Sequence, residues 1–172
     1  YNKIMRDSGI TGDYIFYYSP RYKKNIDKFV KKLSKKYKLP VIVFNSKEYY
    51  FRGLRLKGFK MTYEQDPGIY LHLIKNAKMV ITTSFHGTIF STIYRKKFWV
   101  MKNGDMYGTD DRVITLLNQL SMIDRLIEPE FHEEFDYNQD VDYSEYDKNL
   151  ERLRKKSYNF LLPSANVATV FP

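Results

Sequence analysis

The sequence predicts an α/β chain of Rossmann-like, doubly wound design, with a parallel sheet covered by helices on both faces. Three observations carry that reading. Short apolar or aromatic runs alternate with segments of helical periodicity from Tyr14 to Leu120. The runs are apolar at consecutive rather than alternate positions, as strands buried on both faces require. Cap residues and prolines stand at several of the joints between them.

Each element follows from its residues. Tyr1–Asp7 read as the end of a helix stopped at Ser8-Gly9. Tyr14-Ile15-Phe16-Tyr17-Tyr18 is the first strand, and Ser19-Pro20 reads as a cap followed by a first helical residue. Ile26, Phe29, Val30, Leu33 and Tyr37 then fall at helical spacing, with lysines between them. Pro40 ends that helix and Val41-Ile42-Val43-Phe44 is the second strand. Residues 45–60 contain Gly53 and Gly58 and read as loops, with a short strand over Phe59–Tyr63. Asp66-Pro67 opens a helix whose apolar stripe is Ile69, Tyr70, Leu73, Ile74 and Ala77. Met79–Thr83 is a strand and Ser84–Gly87 a tight turn. Ile89, Phe90, Ile93 and Tyr94 line the next helix, and Phe98–Met101 form a further strand. Lys102–Thr109 is a loop, and Asp110 caps a helix carrying Val113, Leu116, Leu117 and Leu120. Glu128–Asp142 is acidic and read as exposed. Ser144–Leu162 closes the chain with Tyr146, Leu150, Leu153 and Phe160 on one helix face. The domain reading is therefore 1–12 as the end of something that precedes the domain, 13–162 as the Rossmann-like domain, and 163–172 as an uncharged tail.

Composition narrows the function classes. The 172 residues suit one domain, with 43% hydrophobic and 28% charged positions. There is no cysteine, so disulfides and thiolate metal sites are excluded, in keeping with a cytoplasmic setting. No spacing of histidine with carboxylates suggests a metal site, and no cofactor is expected. The uncharged stretch Met79–Tyr94 is too short to span a bilayer. The net charge of +9 points to anionic partners, or to solvated helix faces such as Lys23-Lys24, Lys31-Lys32 and Lys35-Lys36. These lysines do not interleave with aromatics along a strand, so no nucleic-acid partner is expected.

The segment with chemistry is Thr82-Thr83-Ser84-Phe85-His86-Gly87-Thr88, where a buried strand meets a helix. A helix N-terminus offers amide donors and partial positive charge to an anion. Gly87 permits close approach, Ser84 and Thr88 add hydroxyls, and His86 is a candidate general acid. In such sheets ligands bind beyond the carboxyl ends of the strands, here the loops after Tyr18, Phe44, Thr83 and Met101. Ser19 either caps its own helix or touches that ligand. Arg112, near a helix start where its charge opposes the dipole, is a candidate anion clamp. His72 reads as a rim or core residue, and His132 as solvated.

The block from Asp66 through Ile74-Lys75-Asn76-Ala77 to Ser84-Phe85-His86-Gly87-Thr88 resembles the polysaccharide pyruvyl transferase family. There, a helix with an Ile-Lys-Asn-Ala-like end leads into a strand and a Ser-Phe-His-Gly-Thr-like turn. Asp110-Asp111-Arg112-Val113-Ile114-Thr115-Leu116-Leu117 and Ile123-Asp124-Arg125-Leu126 are similar to the family as well. The resemblance implies the C-terminal, donor-binding half of a GT-B-like enzyme of bacterial surface polysaccharide synthesis. It implies transfer of an enolpyruvyl unit from phosphoenolpyruvate to a saccharide, free or lipid-linked, leaving a pyruvate ketal. In that chemistry His86 is the acid, the Gly87 and Thr88 amides take phosphate, and Arg112 clamps a carboxylate or phosphate. A lipid-linked acceptor would bring the enzyme to the membrane periphery. The chain departs from those members that carry arginine where Ser84 stands, which leaves the donor open. Two other readings stay beside it. One is a nucleotide-sugar glycosyltransferase of GT-B type, with Glu64 or Asp105 on the ribose. The other is a non-catalytic module that binds anions through its basic face.

Overall fold

The computed structural model describes residues 4–44, 47–62, 66–102 and 111–166. Strands and helices alternate: β1 (Ile15–Tyr18), α1 (Lys24–Tyr37), β2 (Val41–Val43), α2 (Lys47–Phe51), β3 (Lys60–Met61), α3 (Pro67–Asn76), β4 (Met79–Thr82), α4 (Phe85–Ile93), β5 (Lys97–Met101), α5 (Asp111–Gln119), β6 (Leu126–Ile127) and α6 (Ser144–Asn166). The six strands form one sheet in the order β3-β2-β1-β4-β5-β6, and every pairing is parallel. The chain winds outward from β1 to β3, returns to the middle, and winds outward again from β4 to β6. The reversal between β1 and β4 is where a doubly wound sheet opens a crevice at its carboxyl edge.

Consecutive strand residues feed two separate cores, which explains the uninterrupted apolar runs. Phe16, Ile42, Val80, Phe98 and Val100 face Leu73 and Ile74 of α3, Val113 and Leu117 of α5, and Tyr146 of α6. Ile15, Tyr17, Val41, Val43, Met79, Ile81, Trp99 and Met101 face Ile26, Phe29, Val30 and Leu33 of α1 on the other side. All the apolar residues predicted for α3 are buried, and Asp66 caps it by accepting from the Gly68 and Ile69 amides at 2.7 and 3.2 Å. Arg6 beside that carboxylate, together with the two amides, holds Asp66 below the usual carboxylate range.

Several expectations are corrected. Residues 5–8 are irregular rather than helical, and they lie across the start of α3. A Cβ at Gly68 would come within 2.2 Å of the Ile4 carbonyl oxygen, so glycine is required for that crossing. α1 begins at Lys24, not Pro20, with Lys23 as an N-cap lacking a side-chain bond. Residues 45–60, read as loops, include α2 and a 3-10 turn over Leu54–Lys57. Ser84–Gly87 is not a separate turn: Ser84 is the N-cap and Phe85, His86 and Gly87 form the first turn of α4. The buried face of α4 is Gly87, Thr88, Ser91 and Thr92, whereas Ile93 is exposed.

The acidic segment after β6 is anchored, not free. Tyr137 is buried against Trp99, Phe29 and Phe131, and the Trp99 indole donates to the Tyr137 carbonyl at 2.8 Å. Phe160 is 80% exposed, so the buried face of α6 ends near Leu153. The glycine loop from 102 and the Asp110 cap fall largely outside the described residues, as do Glu64, Asp105 and residues 167–172. Among the described residues no helix is long and apolar enough to cross a membrane.

Candidate functional site

At the middle of the sheet Tyr18, the last residue of β1, lies opposite Thr82, the last of β4. Hydroxyls tie the two strand ends together. Thr82 Oγ1 donates to the Tyr18 carbonyl at 2.8 Å and accepts from the Ser84 amide at 3.0 Å. The Thr83 amide also donates to the Tyr18 carbonyl, at 3.3 Å. Ser19 Oγ gives its proton to the Arg21 carbonyl at 2.6 Å, which leaves Thr83 Oγ1 to donate to Ser19 across 2.8 Å. Ser19 is therefore neither a cap nor an exposed ligand contact. It is buried and fixes the β1–α1 loop against the β4–α4 connection.

That connection sets the start of α4. Ser84 is buried, its Oγ accepts from the Gly87 amide at 3.4 Å, and its carbonyl receives both the amide and the hydroxyl of Thr88 at 2.9 and 3.0 Å. Thr88 is fully buried, so its hydroxyl faces the helix and not the crevice. Gly87 also has a packing role. A Cβ there would lie 2.3 Å from Thr82 Oγ1, so the residue is what lets α4 sit on β4. With the Gly87 and Thr88 amides engaged, the first-turn donors left without an intrahelical acceptor are those of Phe85 and His86.

His86, the second residue of the helix, is exposed. Its ring is 5.8 Å from that of Phe85 between centroids. Arg112 reaches the same spot from the first turn of α5, with its guanidinium carbon 5.0 Å from the centre of the Phe85 ring. The fold thus brings the arginine singled out in the sequence against Phe85, the neighbour of His86 in the first turn of α4. The guanidinium lies over a π face, a stacking that its planar, delocalised charge favours.

Beneath this edge lies an aromatic cluster that pattern reading did not single out. Tyr70 contacts Tyr18, Phe44 and Phe90 at ring separations of 5.0, 5.1 and 6.2 Å. The Tyr70 hydroxyl is buried without a hydrogen-bond partner, and burial raises its pKa. A second group supports the β1–α1 loop from below. Tyr17 donates to Asp27 Oδ1 at 3.1 Å, and Tyr49 donates to the Ser19 carbonyl at 3.1 Å. Burial pushes Asp27 up to about 6, against the lowering effect of the Tyr17 and Tyr22 hydroxyls and of Lys57. No local pattern marks these residues, because their partners come from β1, α1 and α2.

The other histidines lie elsewhere. His72 Nδ1 accepts from the Ser8 amide at 3.2 Å, so it secures the irregular segment before β1. His132 is exposed beside Glu128, Glu130, Phe135 and Tyr137, in a shallow cleft next to β6. Among the described residues no three histidine or acidic side chains gather as a metal site would need.

A solved structure of a known protein agrees with the fold. A UDP-GlcNAc 2-epimerase of Methanocaldococcus jannaschii, solved with UDP-GlcNAc and UDP, superposes with a TM-score of 0.53 at 13% identity, over 90% of this chain and 47% of that one. The UDP-GlcNAc 2-epimerase of Neisseria meningitidis bound to UDP-GlcNAc gives 0.46 at 13% identity, over 83% and 45%. The chain spans about half the length of these GT-B-fold structures, and at such identity the likeness concerns the fold alone. No curated protein matches the chain in sequence. The family model of the polysaccharide pyruvyl transferases matches residues 1–105, which takes in β1 to β5 and the His86 turn, and the chain belongs to that family.

Proposed function

We propose that the crevice between β1 and β4 binds phosphoenolpyruvate and delivers its pyruvyl unit to a saccharide. The observation that supports this most is the approach of Arg112 to Phe85, the neighbour of His86, at the first turn of α4. The first-turn amides of Phe85 and His86 and the positive end of the helix suit the phosphate. Arg112 takes the carboxylate, the part an arginine at position 84 serves in other members.

In this reading protonated His86 transfers its proton to the methylene carbon of the donor. The double bond supplies the electron pair, and positive charge develops at the central carbon. A saccharide hydroxyl adds there and loses its proton. Phosphate then leaves with the electrons of its carbon–oxygen bond, and a second hydroxyl closes the ketal. The products are the ketal and inorganic phosphate. The exposed position of His86 leaves room for an acceptor sugar at its side.

Isothermal titration with phosphoenolpyruvate, UDP and GDP tests the reading. The expected result is phosphoenolpyruvate binding that weakens by about tenfold or more in Arg112→Ala, the scale of a lost charged hydrogen bond, and is lost in His86→Ala. A chain that instead takes UDP or GDP, with both variants unchanged toward phosphoenolpyruvate, sinks this donor assignment in favour of a nucleotide sugar. The ligands of the fold's epimerase relatives make UDP the informative competitor.

A further inference from the structure

α6 changes character along its length. Tyr146 is buried, Leu150 and Leu153 pack on the core, and Asn149 Nδ2 donates to Ser121 Oγ at 2.9 Å. Beyond Leu153 every described side chain through Leu161 is exposed. Tyr158 is 64%, Phe160 80% and Leu161 62% open to solvent, the densest set of exposed large apolar side chains among the described residues.

The pattern around these residues is ordered. At the roughly 100° turn per residue of an α-helix, Phe160 and Leu161 lie on the same arc as Tyr146, Leu150 and Leu153. The face that packs on the core therefore continues outward with nothing from the described chain against it. Lys156 flanks that arc on one side and Arg154 on the other. Arg152 and Lys155 stand farther round, and the only acid from 151 to 161 is Glu151. An apolar arc with long cationic side chains at both borders is the arrangement that lies in a membrane interface. The apolar groups enter the acyl boundary while Lys and Arg stay at the phosphates.

Charge selects among occupants. A second copy packed through the same arc would bring two basic borders together, which like-charge repulsion opposes. An anionic bilayer meets both features at once, and the net charge of +9 adds long-range attraction. We propose that the outer part of α6, from Arg154 to Leu161, docks on an anionic membrane surface, with Phe160 and Leu161 inserting and Arg154 and Lys156 on the lipid phosphates. This surface is separate from the donor crevice and stands whether or not the donor is phosphoenolpyruvate.

The test is sedimentation of the full chain with phosphatidylcholine vesicles, with and without ~30% phosphatidylglycerol. Light scattering of the free protein accompanies it. Two double variants accompany wild type: Phe160→Asp with Leu161→Asp, and Arg154→Glu with Lys156→Glu. All four positions are exposed, so circular dichroism and melting should stay at wild-type values. The expected result is binding to the anionic vesicles that falls about tenfold in each double variant and on raising salt to ~0.5 M. The proposal is overturned by an absence of binding to anionic vesicles, or by binding that both variants retain. It is equally overturned by a wild-type dimer that the Phe160/Leu161 variant dissolves, since a second copy then covers the arc.

Discussion

At the scale of single residues the crevice depends on close approaches that a side chain or a charge would disturb. Gly87 carries the contact between α4 and β4, where a Cβ would meet Thr82 Oγ1 at 2.3 Å. The same oxygen bonds the Tyr18 carbonyl and the Ser84 amide, so it has little room to move. Gly87→Ala should cost about 2 kcal/mol, the usual scale of overpacking, seen as a lower urea midpoint at unchanged slope. Asp27 is a different kind of liability. Its folded-state carboxyl is raised to about 6 by burial, and one of its oxygens has no partner. An unfolded aspartic acid loses its proton near 4. Between about pH 4 and pH 6 the native state therefore holds more protons than the unfolded state, and stability falls as pH rises. Asp27→Asn should flatten that slope and raise stability at pH 7 by about 2 kcal/mol, as read from urea unfolding at several pH values. The sequence marked His86 because its chemistry is local. It did not show that Gly87 is crowded, because the crowding comes from the side chain of Thr82.

Whole elements show where hydrophobic pattern misleads. In α4 the larger apolar residues suggested a buried face of Ile89, Phe90, Ile93 and Tyr94. The face against the sheet is instead Gly87, Thr88, Ser91 and Thr92. Small residues let the helix approach closely, and their hydroxyls return to the helix carbonyls. Thr88 bonds Ser84, Ser91 bonds Gly87 and Thr92 bonds Ile89, so no buried hydroxyl among them is wasted. The acidic segment after β6 misleads in the opposite way. Its charges suggested exposure, yet its aromatics fold back over α1 and β5. Tyr37 donates to Asp136 Oδ1 at 2.8 Å and Lys36 to the Phe135 carbonyl at 3.0 Å, both just before the buried Tyr137. Tyr137→Ala should destabilise the protein by about 3 kcal/mol, and protease should then cut first between Glu128 and Asp142. Cleavage starting elsewhere would show that this segment is held by other contacts.

For the whole molecule the strand order sets the distribution of rigidity. β1 and β4 are bonded on both sides and covered on both faces, whereas β3 and β6 are two-residue edge strands. Hydrogen exchange should accordingly be slowest in the amides of β1 and β4 and fastest, among strands, in β3 and β6. Comparable protection in β3 and β1 would contradict this order. The same order explains what each level of description decided. The sequence by itself determined the alternation of strand and helix, the parallel sheet, the Asp66 cap and the place of the His86 turn at the end of β4. These follow from consecutive apolar runs, helical periodicity and cap chemistry, all of which act over a few residues. Tertiary structure alone decided that Ser19 meets Thr83, that Arg112 reaches Phe85 beside His86, and that Asp27 sits beneath the β1–α1 loop. Those pairings depend on β1 lying next to β4 and on α5 starting beside α4. Strand adjacency is set by burying both faces of the whole sheet at once, and no local stretch of sequence carries that information.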